Sequence, residues 1–203
     1  MRRPRTRIQQ RNSQTILEAA LEVFSTHGFR GATLDQIAEV AGLSKPNLLY
    51  YFPSKEAIHT ALLSQLLDLW LDPLRALDPK GDPITEIMGY MRRKLEMSRD
   101  LPRESRLFAN EILQGAPHIQ PVIEGELKAL VAEKTAILRQ WMDEGRIATM
   151  HPVHLIFSIW ALTQHYADFD SQIRAVLGPE EADPYAEAGQ FLNLLFSRLL
   201  KAD

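Results

Sequence analysis

The 203 residues contain no cysteine. That excludes a disulfide framework, a thiol nucleophile and any zinc site that needs sulfur. Long hydrophobic runs are also missing. The longest, Leu155 to Leu162, is interrupted by Ser158 and falls far short of the ~20 apolar residues of a membrane span. The arginine-rich start is followed by no apolar segment, so it does not read as a secretory signal, and a soluble cytoplasmic protein is expected. Sustained two-residue alternation is absent, as are Asn-Gly and Asp-Gly hairpin turns, which argues against β-structure. No G-x-S-x-G elbow, phosphate loop, G-x-G-x-x-G or H-E-x-x-H occurs, and the many carboxylates fall at helix-surface positions; no enzyme is expected. His151, His154 and His165, with Asp168, are the histidine-rich stretch to weigh as metal ligands. Pro152 interrupts the first pair, and zinc wants three or four convergent donors. Neither a metal nor a cofactor is expected.

Charge is present but unevenly placed. The formal net charge is −3, yet residues 1–60 hold 8 Lys and Arg against 5 Asp and Glu, whereas residues 61–203 hold 15 against 21. Five arginines (Arg2, Arg3, Arg5, Arg7 and Arg11) crowd the first eleven positions. A basic head on an acidic body points to a polyanionic partner for the head.

Twelve prolines segment the chain. The intervals between them carry helical periodicity: Ile16, Ala20, Val23 and Phe24 share one face, as do Leu34, Ile37, Ala38 and Ala41. Nine helices are expected, over 12–27, 34–41, 45–51, 55–71, 84–99, 103–114, 122–144, 153–169 and 185–200. Thr33 with Gln36 has the spacing of a capping box, and Ser44, Ser54 and Asp82 precede further starts. Gly28, Gly42 and Gly145 fall where helices should stop. Asp72 to Pro83 reads as a connector. The chain is therefore expected to be all-α, with an arm and DNA-binding head over 1–54 and a helical ligand-binding and dimerisation body over 55–203.

Within the head, two short helices flank Gly42-Leu43-Ser44, the geometry of a helix-turn-helix whose second helix enters the major groove. Asn47 can pair an adenine edge. Lys45 and Lys55 can neutralise phosphates, and the hydroxyls of Tyr50 and Tyr51 can bond phosphate oxygens. Thr33 and Ser44 head helices, where free N–H groups favour an anion. The arginine arm can follow the backbone or the minor groove.

Phe29, Gly31 and Thr33, followed by IAEVAGLSKPNLLYYFPSKEA, resemble the DNA-binding head of the TetR family of repressors. The body resembles one branch of that family, the repressors of pyrimidine utilisation, over Leu95 to Pro117, Glu126 to Lys134 and His151 to Phe169. The resemblance implies a homodimer on a palindromic double-stranded operator, with recognition helices ~34–36 Å apart, and release by a small effector, uracil or thymine. It points to Trp70, Trp160 and Gln164 as effector contacts, with Tyr166 and Glu111 as further candidates. Trp160 and Gln164 lie one helical turn apart, so an indole face and an amide edge would meet a flat base together. A drug, a fatty acid or an aromatic metabolite remains an alternative effector, and a ligand-free DNA-binding protein an alternative class. Leu192, Leu195, Phe196 and Leu199 form a stripe that would pair across a two-fold axis. The helix from Ser54 to Leu71 would carry an effector's push from Trp70 to the head over ~25 Å.

Overall fold

A computed structural model describes residues 7–178 and 183–202; Arg2, Arg3 and Arg5 lie outside the described residues. Among those described, all regular structure is helical. In chain order the helices are α1 (Arg7–Gly31), α2 (Leu34–Val40), α3 (Lys45–Tyr51), α4 (Lys55–Arg75), α5 (Pro83–Asp100), α6 (Pro102–Leu113) and α7 (Gln120–Val122). A π turn (Ile123–Leu127) follows, then α8 (Lys128–Asp143), α9 (Pro152–Asp168), α10 (Asp170–Leu177) and α11 (Pro184–Leu199). They divide into two compact units. One comprises the chain up to Leu67 with Arg106–Gln120, the other Asp68–Ser105 with the chain from Pro121 onward. The division falls inside α4 and inside α6; Ile58, Leu62 and Leu63 of α4 and Phe108 of α6 are buried residues of the first unit.

The helix boundaries follow local chemistry. Thr33 accepts from the Gln36 N–H while the Gln36 side chain accepts from the Thr33 N–H, closing the capping box that starts α2. Gly42 ends it at φ +66°: Leu43 N–H reaches Ala38 O and Gly42 N–H reaches Glu39 O, a left-handed stop that a side chain would strain. Ser44 and Asp82 cap α3 and α5. The regular part of α1 breaks at Gly28, and a last turn runs on to Gly31.

Four elements depart from the sequence expectation. First, α1 begins at Arg7 rather than residue 12, since Arg7 to Arg11 holds good helix formers and no breaker. Second, α4 runs through Pro73 to Arg75. The Arg75 guanidinium ties that last turn together, donating to Asp68 O and to the carboxylates of Asp68, Asp72 and Glu126. Third, residues 120–143 are interrupted by the π turn around Gly125, which carries Glu126 to Arg75. Fourth, α10 forms where no helix was expected. Phe169 alone separates it from α9, and an Asp170–Arg174 ion pair one turn apart supports it.

In the first unit, Ile16, Ala20, Val23 and Phe24 of α1 are buried, with Ile37 and Ala38 of α2 and Leu48 of α3. In the second, α5 and α9 share the most extensive packing, and α11 covers α5. The connector is sewn to α8: Lys134 Nζ donates to Arg75 O and Leu77 O, Trp141 Nε1 to Pro79 O, and nearby Arg146 to Gly81 O. The expected stripe on α11 splits. Leu192 and Phe196 are buried in their own unit, whereas Leu195 and Leu199, with Phe191 and Leu194, face outward. Phe157 on α9 is likewise exposed. Among the described residues no helix is long and apolar enough to cross a membrane.

Candidate functional site

The first unit presents a short helix built to be read from outside. Leu48 is the one buried side chain of α3, at 0 % exposure. It turns Lys45, Asn47 and Tyr50 outward, all exposed, with Tyr50 at 72 %. Asn12 donates to the Tyr51 hydroxyl at 2.8 Å and Gln9 to that of Tyr50 at 3.4 Å, so the two rings are oriented from α1. Lys45 pairs with Asp35 of α2 at 2.9 Å, both largely exposed. Thr33 and Ser44 hold the first turns of α2 and α3. Lys55 differs from expectation. Its Nζ donates to Phe29 O and Ala32 O, each at 2.8 Å, and lies 4.6 Å above the Phe29 ring. The carbonyls at the end of α1 lack helical partners, and this lysine satisfies them instead of standing free for a phosphate.

A polar cluster lies inside the second unit. Trp70 is 5 % exposed, and its Nε1 is buried with no acceptor. The Lys94 ammonium sits 5.3 Å over its ring. Tyr90, one turn before Lys94 on α5, accepts a hydrogen bond from Trp160 Nε1 at 2.5 Å. Gln164 follows Trp160 by a turn and is half-buried. Asp168, a further turn on, accepts from Ser105 Oγ at 2.6 Å. Lys94 is itself 3 % exposed. Burial pushes its ammonium down to about 7, and the nearby Asp168 carboxylate pulls the other way. Burial likewise raises the Tyr90 hydroxyl. The α5 face thus links the two tryptophans that sequence reasoning selected. Sequence reasoning missed Lys94 and Tyr90, although the signal was present. Lys94 falls on the buried face that Ile87, Met91 and Ser98 share, and a lone lysine in such a stripe is rarely buried without purpose.

Two other candidates stand apart. Tyr166 packs on Tyr185 and lines an open cleft of about 440 Å³ with Ile173, Val176, Leu177 and Phe191. Glu111 belongs to the first unit. Its carboxylate accepts from His118 N–H at 2.7 Å and meets the rings of His118 and His59.

Residues 16–62 match the family model described as bacterial regulatory proteins, tetR family, and residues 63–203 match that of the YcdC-like protein C-terminal region. The chain belongs to the TetR family of transcriptional regulators. It is a ligand-responsive DNA-binding repressor that acts as a homodimer, not an enzyme. It is 53 % identical over 174 residues to the HTH-type transcriptional regulator RutR of Escherichia coli K12, covering 86 % of this chain and 82 % of that one. The transcriptional repressor NicS of Pseudomonas putida is 27 % identical, over 88 % of this chain and 86 % of its own length. Among solved structures, a transcriptional regulator from Streptomyces coelicolor superposes with a TM-score of 0.76 at 25 % identity, covering 94 % of this chain and 98 % of that one. AibR in complex with isovaleryl coenzyme A and operator DNA does so at 0.70 and 17 % identity, covering 91 % and 97 %.

Proposed function

We propose that this chain represses genes of pyrimidine metabolism in the cytoplasm and leaves a palindromic operator when uracil or thymine binds beside Trp70. The observation that carries this reading is the buried Nε1 of Trp70, a donor with no acceptor, next to a buried ammonium. Unpaired buried donors are costly. A base with two carbonyl oxygens would satisfy both Trp70 and Lys94, while the Gln164 amide matches an adjacent N–H and C=O pair. The likeness of Leu95–Pro117 and His151–Phe169 to pyrimidine-utilisation repressors supports the same ligand. A base of about eight heavy atoms offers limited binding energy, so nearly all of its edge must be met in a dry chamber. Trp70 and Lys55 lie on one continuous helix, α4. Displacement of the indole would therefore be felt at the head, and the ligand must favour the released state by ~1–3 kcal/mol.

Uracil and thymine should each raise the melting temperature and release labelled operator in a gel shift. Gln164→Ala should bind operator as the wild type does and fail to let go at the wild-type effector concentration. Wild-type release by that variant would reject the chamber. The cleft at Tyr166 favours a second reading, in which its apolar lining takes a fatty acid or an aromatic metabolite. A melting shift with laurate and none with uracil would select it.

On the DNA side, Asn47 is assigned to a base edge and Lys45, Tyr50 and Tyr51 to phosphates. Thr33 and Ser44 would present N-terminal N–H groups to the backbone, and Lys55 would contribute by holding the end of α1. Fluorescence anisotropy should find that Asn47→Ala loses about 1–3 kcal/mol of discrimination at one base pair. Lys45→Ala should weaken all sequences alike and lower the salt slope by about one. Identical losses on operator and random DNA for Asn47→Ala would remove base reading from that residue.

The outward faces of α9 and α11, with Phe157, Phe191, Leu195 and Leu199 exposed, are assigned to the dimer contact, since apolar patches of this kind mark interfaces. Leu195→Glu should sediment as a monomer; an unchanged dimer would move the interface elsewhere.

A further inference from the structure

We propose that His59, Glu111 and His118 form a binding site for a divalent transition-metal ion of the zinc type, inside the unit that carries the helix-turn-helix. One donor atom from each residue lies within 4.8 Å of the others. The Glu111 Oε2 is 3.4 Å from His59 Nε2 and 3.0 Å from His118 Nδ1. Around a tetrahedral zinc with bonds of about 2.0–2.2 Å, neighbouring donors stand roughly 3.3–3.5 Å apart, and the two separations from Glu111 Oε2 lie in or just below that range. Two imidazoles and one carboxylate are a known catalytic-type donor set that leaves a position open to water or a further ligand.

The surroundings hold these donors in place. Glu111 Oε1 accepts the His118 N–H at 2.7 Å, which fixes the carboxylate with Oε2 turned toward both rings, the kind of outer bond that orients a ligand. Gly115 and Ala116 both adopt positive φ, +87° and +56°. Ala116 is the sole described non-glycine to do so, and this turn folds His118 back over the end of α6. Phe29 lies tilted against both imidazoles, its centroid 4.6 Å from that of His59 and 4.7 Å from that of His118, walling the site with apolar surface. His59 and Glu111 are buried, while His118 keeps a fifth of its side chain open as a way in.

The hydrogen bonds alone leave the cluster unfinished. The His59–Glu111 pair is long at 3.4 Å. Glu111 is a buried carboxylate, and a divalent ion would bring a positive charge to it. The site would pin the turn after α6 to α4 and to the end of α1. The histidines weighed in the sequence gather less well. His151 and His154 are adjacent but exposed, and His165 stacks on Phe169.

The test uses the full chain, stripped with a chelator and titrated with Co²⁺ and then Zn²⁺. The wild type should take one ion per chain at this site, develop the visible band of low-symmetry cobalt, and melt at a higher temperature with Zn²⁺. His118→Ala, on a partly exposed turn, should lose at least 10–100-fold in affinity and the zinc-dependent melting shift, with Glu111→Gln behaving alike. His151→Ala should retain both. Helical circular dichroism confirms that each variant is folded, and the double variant H59Q/H118Q gives a same-size check. Full binding by both His118→Ala and Glu111→Gln would overturn the proposal. So would loss only in His151→Ala, or a wild type that takes up neither ion. None of these readouts involves uracil, so the outcome is separate from the effector assignment.

Discussion

Lys94→Met melts at a higher temperature than the wild type and no longer answers uracil. Both effects have one cause. The lysine is 3 % exposed, and burial drops its ammonium from an ordinary 10.5 to about 7. In the folded chain it therefore holds its proton less tightly than in the unfolded chain. Between those two values the unfolded state binds more protons, so wild-type stability rises with pH there. Below about 7 the full cost of burying the charge is present. Methionine matches the stem and carries no charge. Replacing the buried charge by an apolar side chain of similar length removes its desolvation cost, and each kcal/mol gained raises the melting temperature by roughly 2–4 °C for a chain of this size. Asp168 is not orphaned by the change, because Ser105 Oγ still donates to it at 2.6 Å. The difference in melting temperature should be widest below pH 7 and close as pH approaches 10.5. Parallel melting curves for the two proteins across that range would show that Lys94 is not titrating in the fold. Uracil, deprived of a donor, should stop shifting the variant's melt.

Leu48→Ala removes operator binding through packing alone. Helix α3 has seven residues, too few to persist in isolation, and its one buried side chain is Leu48, at 0 % exposure. Truncating a fully buried leucine costs about 2–5 kcal/mol. Without it, α3 loses its seat against α1 and α2, and Asn47, Tyr50 and Lys45 lose their common orientation. Chemical denaturation should show the stability loss, and anisotropy should show operator and random DNA affected together. Wild-type operator affinity in this variant would mean that α3 is held by something other than its buried face.

Much of the head was legible because its signals are local. Thr33–Gln36, Gly42 and Ser44 act within four residues of themselves, and each works in the structure as its spacing implies. The apolar face Ile16–Ala20–Val23–Phe24 was likewise readable, since helical periodicity alone decides which side is buried. The misses arise where distant parts of the chain meet. Pro73 looked like a stop, but Arg75 gathers Asp68, Asp72 and Glu126 around that turn. Lys55 looked like a free cation until the end of α1 was seen to need its donors. Nor does any spacing announce the partners of Glu111, which are His59, 52 residues away, and His118, beyond the turn at Gly115–Ala116.

By itself the sequence determined that the chain is helical, where most helices start and stop, that a helix-turn-helix precedes a larger body, and to which family it belongs. These follow from short-range patterns of apolar spacing, caps and charge. Only the tertiary structure decided that Lys94 and Tyr90 stand between Trp70 and Trp160, that α11 keeps half its apolar stripe for its own core, and that two histidines close on Glu111. Burial and charge pairing depend on which side chains share a volume, and no spacing along the chain encodes that before it folds.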